Sequence, residues 1–219
     1  EKILNLKREQ AAAIGYEECA YDVLLDDFEP LQRTSEVTQV LSELRESLVP
    51  LVAAIQDSPR APNRDILTRD YPVGAQAEFG RRAAHQIGFD FERGRLDETD
   101  HPFCSSMGPH DCRITTRYEK NFFPMAFFGT LHEAGHGMYD QGLRNEWYGL
   151  PPGSYVSLGV HESQSRLWEN FVGRNQPFWR FFFPLAQKAF PLSLKSVGFD
   201  DFYFAINDVR PSMIRVEAD

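Results

Sequence analysis

Cysteine is scarce in this chain: among 219 residues there are three, Cys19, Cys104 and Cys112. So small and odd a set builds no disulfide framework, and it points to reduced thiols in a cytoplasmic protein. Cys104 and Cys112 bracket a Gly-Pro-His segment, yet no second Cys pair accompanies them. The spacing fits no zinc finger or ribbon, so both read as structural thiols. Long apolar runs are missing as well. No stretch nears the ~18 residues of a membrane span, and mean hydropathy is −0.43. Positive charge is in short supply: 23 Lys and Arg stand against 32 Asp and Glu, a net charge of −9. A nucleic-acid partner, which calls for clustered cations, is not expected. There is no basic-then-apolar leader, no repeat with a period of roughly 20–50 residues, and no linker rich in Gly, Ser or Pro. A single domain over residues 1–219 is the expectation, long enough to bury a real core.

What is present reads mostly as helix. Residues 2–15 carry Ile3, Leu6, Ala13 and Ile14, with Gly15 as a stop. A short helix is expected from Ala20 to Asp27. The clearest one runs from a Thr34 cap to about Gln56. There Val37, Val40, Leu41, Leu44, Leu48, Leu51, Val52 and Ile55 keep a helical period, and Pro50 should kink it. Residues 57–64 read as a loop and 74–88 as another helix. Between Phe89 and Tyr118, short β-prone stretches among Gly, Asp and Pro predict a small antiparallel sheet. Helices resume at roughly 124–141, 159–173, 177–189 and 199–208. The final segment, from Pro211, begins like a strand. The aromatic run from Phe178 to Phe183 has helical spacing and suits a core or a dimer contact.

His132-Glu133-Ala134-Gly135-His136 is an HExxH motif. Residues four apart turn through about 400° on a helix, so both imidazoles share one face, one turn apart. Two nitrogens can then reach one Zn2+ at about 2.0–2.1 Å. Glu133, about 100° round from His132, can meet a water at the metal without ligating it and act as general base. Pro124 suits the first turn of this helix and Gly142 its end, while MAFFGTL supplies a buried face. Gly135 and Gly137 each cost about 1 kcal/mol against Ala in a helix, so something should pass close to the backbone there.

A third ligand has two candidates on the next helix, Glu162 and its neighbour His161. Adjacent helical residues point about 100° apart, so only one binds comfortably. A His₂Glu set would leave a position open for water, as catalytic zinc requires. Asp140, one turn past His136, is either an acceptor for an imidazole N–H or a solvated carboxylate. The loop over 143–159 carries Trp147, Tyr148 and Tyr155, which either shape a subsite or simply pack.

Several stretches together resemble the thermostable (Taq-type) metallocarboxypeptidases. They are His101-Pro102-Phe103, the DxRxT run from Asp111 to Thr115, the HExxH motif, His161-Glu162-Ser163-Gln164 with the following SRLWEN, and the IRxxAD run from Ile214 to Asp219. The resemblance implies a mainly α fold: a helical, gluzincin-like HExxH core with a small antiparallel β element. It implies a homodimer that removes C-terminal residues from peptides with a free C-terminus, using Zn2+ or sometimes Co2+. It assigns His132, His136 and Glu162 as ligands and Glu133 as general base. Arg113 and Arg215 lie inside family motifs, where an arginine can bind a substrate carboxylate bidentately. Arg113 is equally suited to being a surface cation or a partner of Asp111. His101 either donates to the substrate or braces the sheet.

The residues themselves support metal-assisted hydrolysis; the exopeptidase label comes from the resemblance. Family members are roughly twice this length and carry a GxxQDxHW-type motif that this chain lacks. Together with Glu1 in place of a starting Met, that makes a catalytic middle portion of a longer enzyme the expectation. An HExxH endopeptidase or oligopeptidase, and a non-catalytic metal-binding helical fragment, are the competing readings.

Overall fold

The apolar periods do become helices in the computed structural model, which describes residues 1–209. The chain forms two compact units, one of residues 1–58 with 156–160 and one of 59–155 with 161 onward. The first contains α1 (Lys2–Ile14), α2 (Ala20–Leu25) and α3 (Thr34–Gln56). Thr34 is the first residue of α3 rather than its cap, because Asp22 of α2 claims it. The Asp22 carboxylate accepts from the Thr34 amide at 2.7 Å and from its hydroxyl at 2.5 Å. Residues Val40, Leu41, Leu44, Leu48, Leu51 and Ile55 of α3 remain exposed.

The second unit opens with a 3-10 turn over Arg64–Thr68, capped by Asn63, and then α4 (Val73–Ile87). Three strands follow, β1 (Gly94–Glu98), β2 (Cys104–Ser106) and β3 (Cys112–Thr116), in the order β1-β3-β2. The sheet is mixed, not antiparallel as expected. β2 runs antiparallel to β3, but β1 pairs with β3 in parallel, Leu96 opposite Ile114. Residues 99–111 make this possible: they are long enough to carry the chain back for a parallel pairing, and β2 forms within them.

After the sheet come α5 (Phe123–Gly142), α6 (Leu158–Arg166, of which residues 161–166 belong to this unit), a wider π-helical turn at Leu167–Val172, α7 (Gln176–Ala189), α8 (Pro191–Leu194) and α9 (Phe199–Ile206). Residues 123–142 lie at the centre. One side of α5 carries Phe123, Phe127, Phe128 and Leu131 into an aromatic core with Tyr71, Phe79, Trp179, Phe182, Phe190 and Phe202. Its other side sets Ala134 against Phe89, Cys112 and Ile114 at the sheet. The aromatic run of α7 therefore supplies core: Trp179, Phe182 and Phe183 are buried, though Phe181 is exposed. The buried Trp179 indole donates to the Gly173 carbonyl at 2.7 Å, satisfying its polar edge. Among the described residues no helix is long and apolar enough to cross a membrane.

Candidate metal centre

Gly135 is where the site is assembled. A Cβ there would lie 2.6 Å from the Gln164 carbonyl oxygen and 2.7 Å from Ser165 Cα. The absence of a side chain thus lets α6 lie directly against α5. Gly137 plays the same part on the sheet side, since a Cβ would meet Phe89 Cε2 at 2.6 Å. Both helix-weakening residues are explained by close approach, as the sequence required.

With α6 that near, Glu162 reaches the two imidazoles of α5. Its Oε2 lies 3.2 Å from His136 Nε2 and 3.6 Å from His132 Nε2. Ligands at about 2.1 Å from one tetrahedral cation stand about 3.4 Å apart, so both imidazole–carboxylate distances suit a shared metal, and all three donor atoms lie within 4.8 Å of one another. They form one of two groups among the described residues that could hold a metal ion. Glu133 is buried on the same helix. It lines, with His132, Met125, Gly129, Phe128 and Pro102, a cleft of about 410 Å³.

Each of the three donors is held from behind. His132 Nδ1 is 2.9 Å from Glu169 Oε2, and Arg166 bridges the two glutamates, 2.7 Å from Glu162 Oε1 and 3.2 Å from Glu169 Oε2. Burial works against the charge on Glu169, but the bond to His132, with the Arg166 and Arg174 guanidiniums nearby, outweighs it and keeps the carboxyl below its ordinary range. For Glu162, too, burial is outweighed, by His132, the Ser165 hydroxyl and Arg166. His136 moves the other way. Burial, then repulsion from His132 and His161, pushes it down to about 4, so it is neutral and ligand-ready at pH 7.

His161 is not a competitor for the triangle. Its Nδ1 sits 2.6 Å from His136 Nδ1, and its Nε2 is 3.0 Å from Asp140 Oδ1. A hydrogen bond between them needs one of the two Nδ1 atoms to carry the proton. When His136 offers Nε2 as a ligand, its Nδ1–H donates to His161, whose Nε2–H in turn donates to Asp140. Asp140 therefore does accept from an imidazole, but that of His161 rather than His136. The sequence reading missed Glu169. The signal was present: seven residues after Glu162 is two helical turns, on the same face.

The remaining expected residues are spread out. His101 precedes Pro102, which lines the cleft beside Glu133. Phe103 ties this segment to β3: its carbonyl accepts from the Thr115 amide at 2.9 Å and its amide donates to the Thr115 hydroxyl at 2.8 Å. Arg113 points to the face of β3 opposite Cys112 and Ile114, exposed, with both guanidinium contacts on Asp111 at 2.7 and 2.9 Å. That pairing favours the reading of Arg113 as a partner of Asp111. Arg215 and the strand expected at the end lie outside the described residues. Of the loop aromatics, Tyr148 and Tyr155 line a second cleft near His161, and Tyr155 packs edge-on against that ring at 5.3 Å.

The sequence profile of the carboxypeptidase Taq (M32) metallopeptidases matches residues 1–219. Thermostable carboxypeptidase 1 of Thermus thermophilus is 53% identical over 199 residues, covering 91% of this chain and 39% of that protein. Carboxypeptidase 1 of Bacillus subtilis is 40% identical over 219 residues, covering the whole chain and 44% of that protein. Among solved structures, the M32 carboxypeptidase from Deinococcus radiodurans R1 is 42% identical, with a TM-score of 0.93 over the whole chain and 44% of the neighbour. The chain thus spans less than half the length of the curated relatives it matches.

Proposed function

The chain belongs to the carboxypeptidase Taq (M32) metallopeptidase family, and from that premise we propose that it carries the catalytic zinc site of a metallocarboxypeptidase. The observation that carries this reading is the His132–His136–Glu162 triangle with buried Glu133 on the same helix, beside an open cleft. His132, His136 and Glu162 would hold a divalent cation, zinc in our reading, which would supply a Lewis acid for the scissile carbonyl and acidify the attacking water. Glu133 accepts the proton of the attacking water and delivers it to the leaving amine nitrogen. Glu169, through His132 Nδ1, and His161, through His136 Nδ1, keep both Nε2 atoms turned toward Glu162. His101 and Arg215 are proposed to bind the peptide. Arg113 can join them only by leaving Asp111. A dimer in a reducing cytoplasmic setting is the accompanying expectation, read out by sedimentation.

The test is release of the C-terminal residue from a peptide by the zinc-loaded chain, with Glu133→Gln as comparison. The variant should retain zinc and lose turnover by at least 100-fold, within the range ascribed to general base catalysis. Turnover undiminished in Glu133→Gln would refute the mechanism. Cleavage of peptides with amidated C-termini at an equal rate would identify an endopeptidase instead.

A further inference from the structure

The cysteine pair has a neighbour that sequence spacing does not show. Cys104 on β2 and Cys112 on β3 bring their sulfurs to 3.8 Å. Asp140 of α5 joins them, so that one donor atom from each of the three lies within 4.8 Å of the others. We propose that Cys104, Cys112 and Asp140 form a second metal site, a thiolate-rich one for a soft divalent cation of the zinc class, separate from the His132–His136–Glu162 triangle.

The sulfur spacing is the first argument. Two thiolates on one tetrahedral zinc, each at about 2.3 Å, stand about 3.8 Å apart. The sheet register holds them there. Cys104 pairs with Ile114, and Cys112 is two residues before it on β3, so both side chains lie on the face that packs against α5. Cys112 is buried, its sulfur 3.7 Å from the Gly137 carbonyl, and Cys104 packs beside it. Asp140 is the donor that a search for a second Cys pair could not find. His161 Nε2 steadies it at 3.0 Å. A carboxylate held this way can serve the imidazole with one oxygen and a cation with the other.

A cleft of about 380 Å³, lined by Cys104, Asp140, His161, Tyr148 and Tyr155, opens onto the cluster. It offers an entry path and room for a fourth ligand such as water. Two sulfur donors select zinc, cadmium or cobalt over magnesium or calcium. Binding is balanced by loss of the two thiol protons to solvent, with no change of oxidation state. Through Asp140, His161 and His136, the second site is one hydrogen-bonded chain away from the first.

Cobalt titration of the reduced chain, kept in a non-thiol reductant, tests the proposal. Two equivalents of Co2+ should bind, and one of them should bring the intense near-ultraviolet band of thiolate-to-cobalt charge transfer. Cys104→Ser and Cys112→Ser should each lose that band and one equivalent, while Cys19→Ser keeps both. His136→Ala should lose the other equivalent and keep the band, which separates this site from the proposed catalytic one. A Cys104→Ala/Cys112→Ala double variant with wild-type helicity controls for folding. A folded wild-type chain that binds cobalt without the thiolate band, or a band that survives the double variant, would overturn the proposal.

Discussion

His132 has a different partner for each nitrogen: Nε2 faces Glu162, and Nδ1 lies 2.9 Å from Glu169. Removing Glu169 leaves the ring free to rotate and to carry its proton on the wrong nitrogen. Supporting residues of this kind typically change metal affinity 10–100-fold. Glu169→Ala should therefore weaken zinc binding by roughly that factor, measured by competition against a chromophoric chelator. Glu169→Gln should lose less, since its amide oxygen can still accept from Nδ1. Equal affinity in Glu169→Ala and the parent would remove Glu169 from the site. How much was legible here depends on distance along the chain. HExxH is local, so the two imidazoles and Glu133 could be read from a single turn of helix. The third donor could not be chosen by spacing, because both neighbours pack against the imidazoles: Glu162 faces the Nε2 atoms and His161 Nδ1 lies against His136 Nδ1. Nor does a residue string tell that Asp140 steadies His161.

At the scale of elements, the crossing of α5 and α6 is set by one missing side chain. Gly135→Ala would place a methyl 2.6 Å from the Gln164 carbonyl oxygen, which is backbone and cannot swing aside. The helices must separate, and Glu162 moves with α6. Gly135→Ala should thus lose zinc affinity along with stability. Gly142→Ala, at the end of the same helix and with nothing within 4 Å of its Cβ, should bind zinc like the parent. Chelator competition and thermal melts on both variants decide it, and a Gly135→Ala chain with parental zinc affinity would contradict the close-contact argument. Helix position was readable because apolar spacing reports the period of the backbone. What the apolar face meets was not. Leu131 and Leu44 both sit at helical spacing, yet Leu131 is fully buried and Leu44 is 50% exposed. Leu131→Ala should cost about 2–5 kcal/mol in denaturant unfolding, for the lost contacts and the cavity. Leu44→Ala should cost well under that, near the ~0.5 kcal/mol of surface changes. The strand direction of β1 was hidden for a related reason: local β-propensity locates strands but does not reveal which neighbour they choose.

For the molecule as a whole, the proposed metal triangle couples sequence-distant parts of the second unit, because His132 and His136 belong to α5 and Glu162 to α6. The unfolded chain cannot present the three donors together, so metal binding adds directly to folding free energy. With free metal at 100 times its dissociation constant, the gain is about 2.7 kcal/mol. For a chain of this size, that corresponds to a melting shift of roughly 5–10 °C, taking about 2–4 °C per kcal/mol. Zinc added to the chelator-treated chain should raise the melting temperature accordingly, and a chelator should reverse the shift. His136→Ala should remove the part due to the triangle. Cys104→Ala/Cys112→Ala should leave that part in place, so the two variants divide the zinc-dependent gain between the two sites. The chain covers 39% and 44% of its curated relatives, and this measurement is informative for that reason. It reports whether the ligand set assembles in this portion alone, independently of whether a peptide is turned over. A melting temperature indifferent to zinc in the parent chain would show that α5 and α6 do not hold a cation between them.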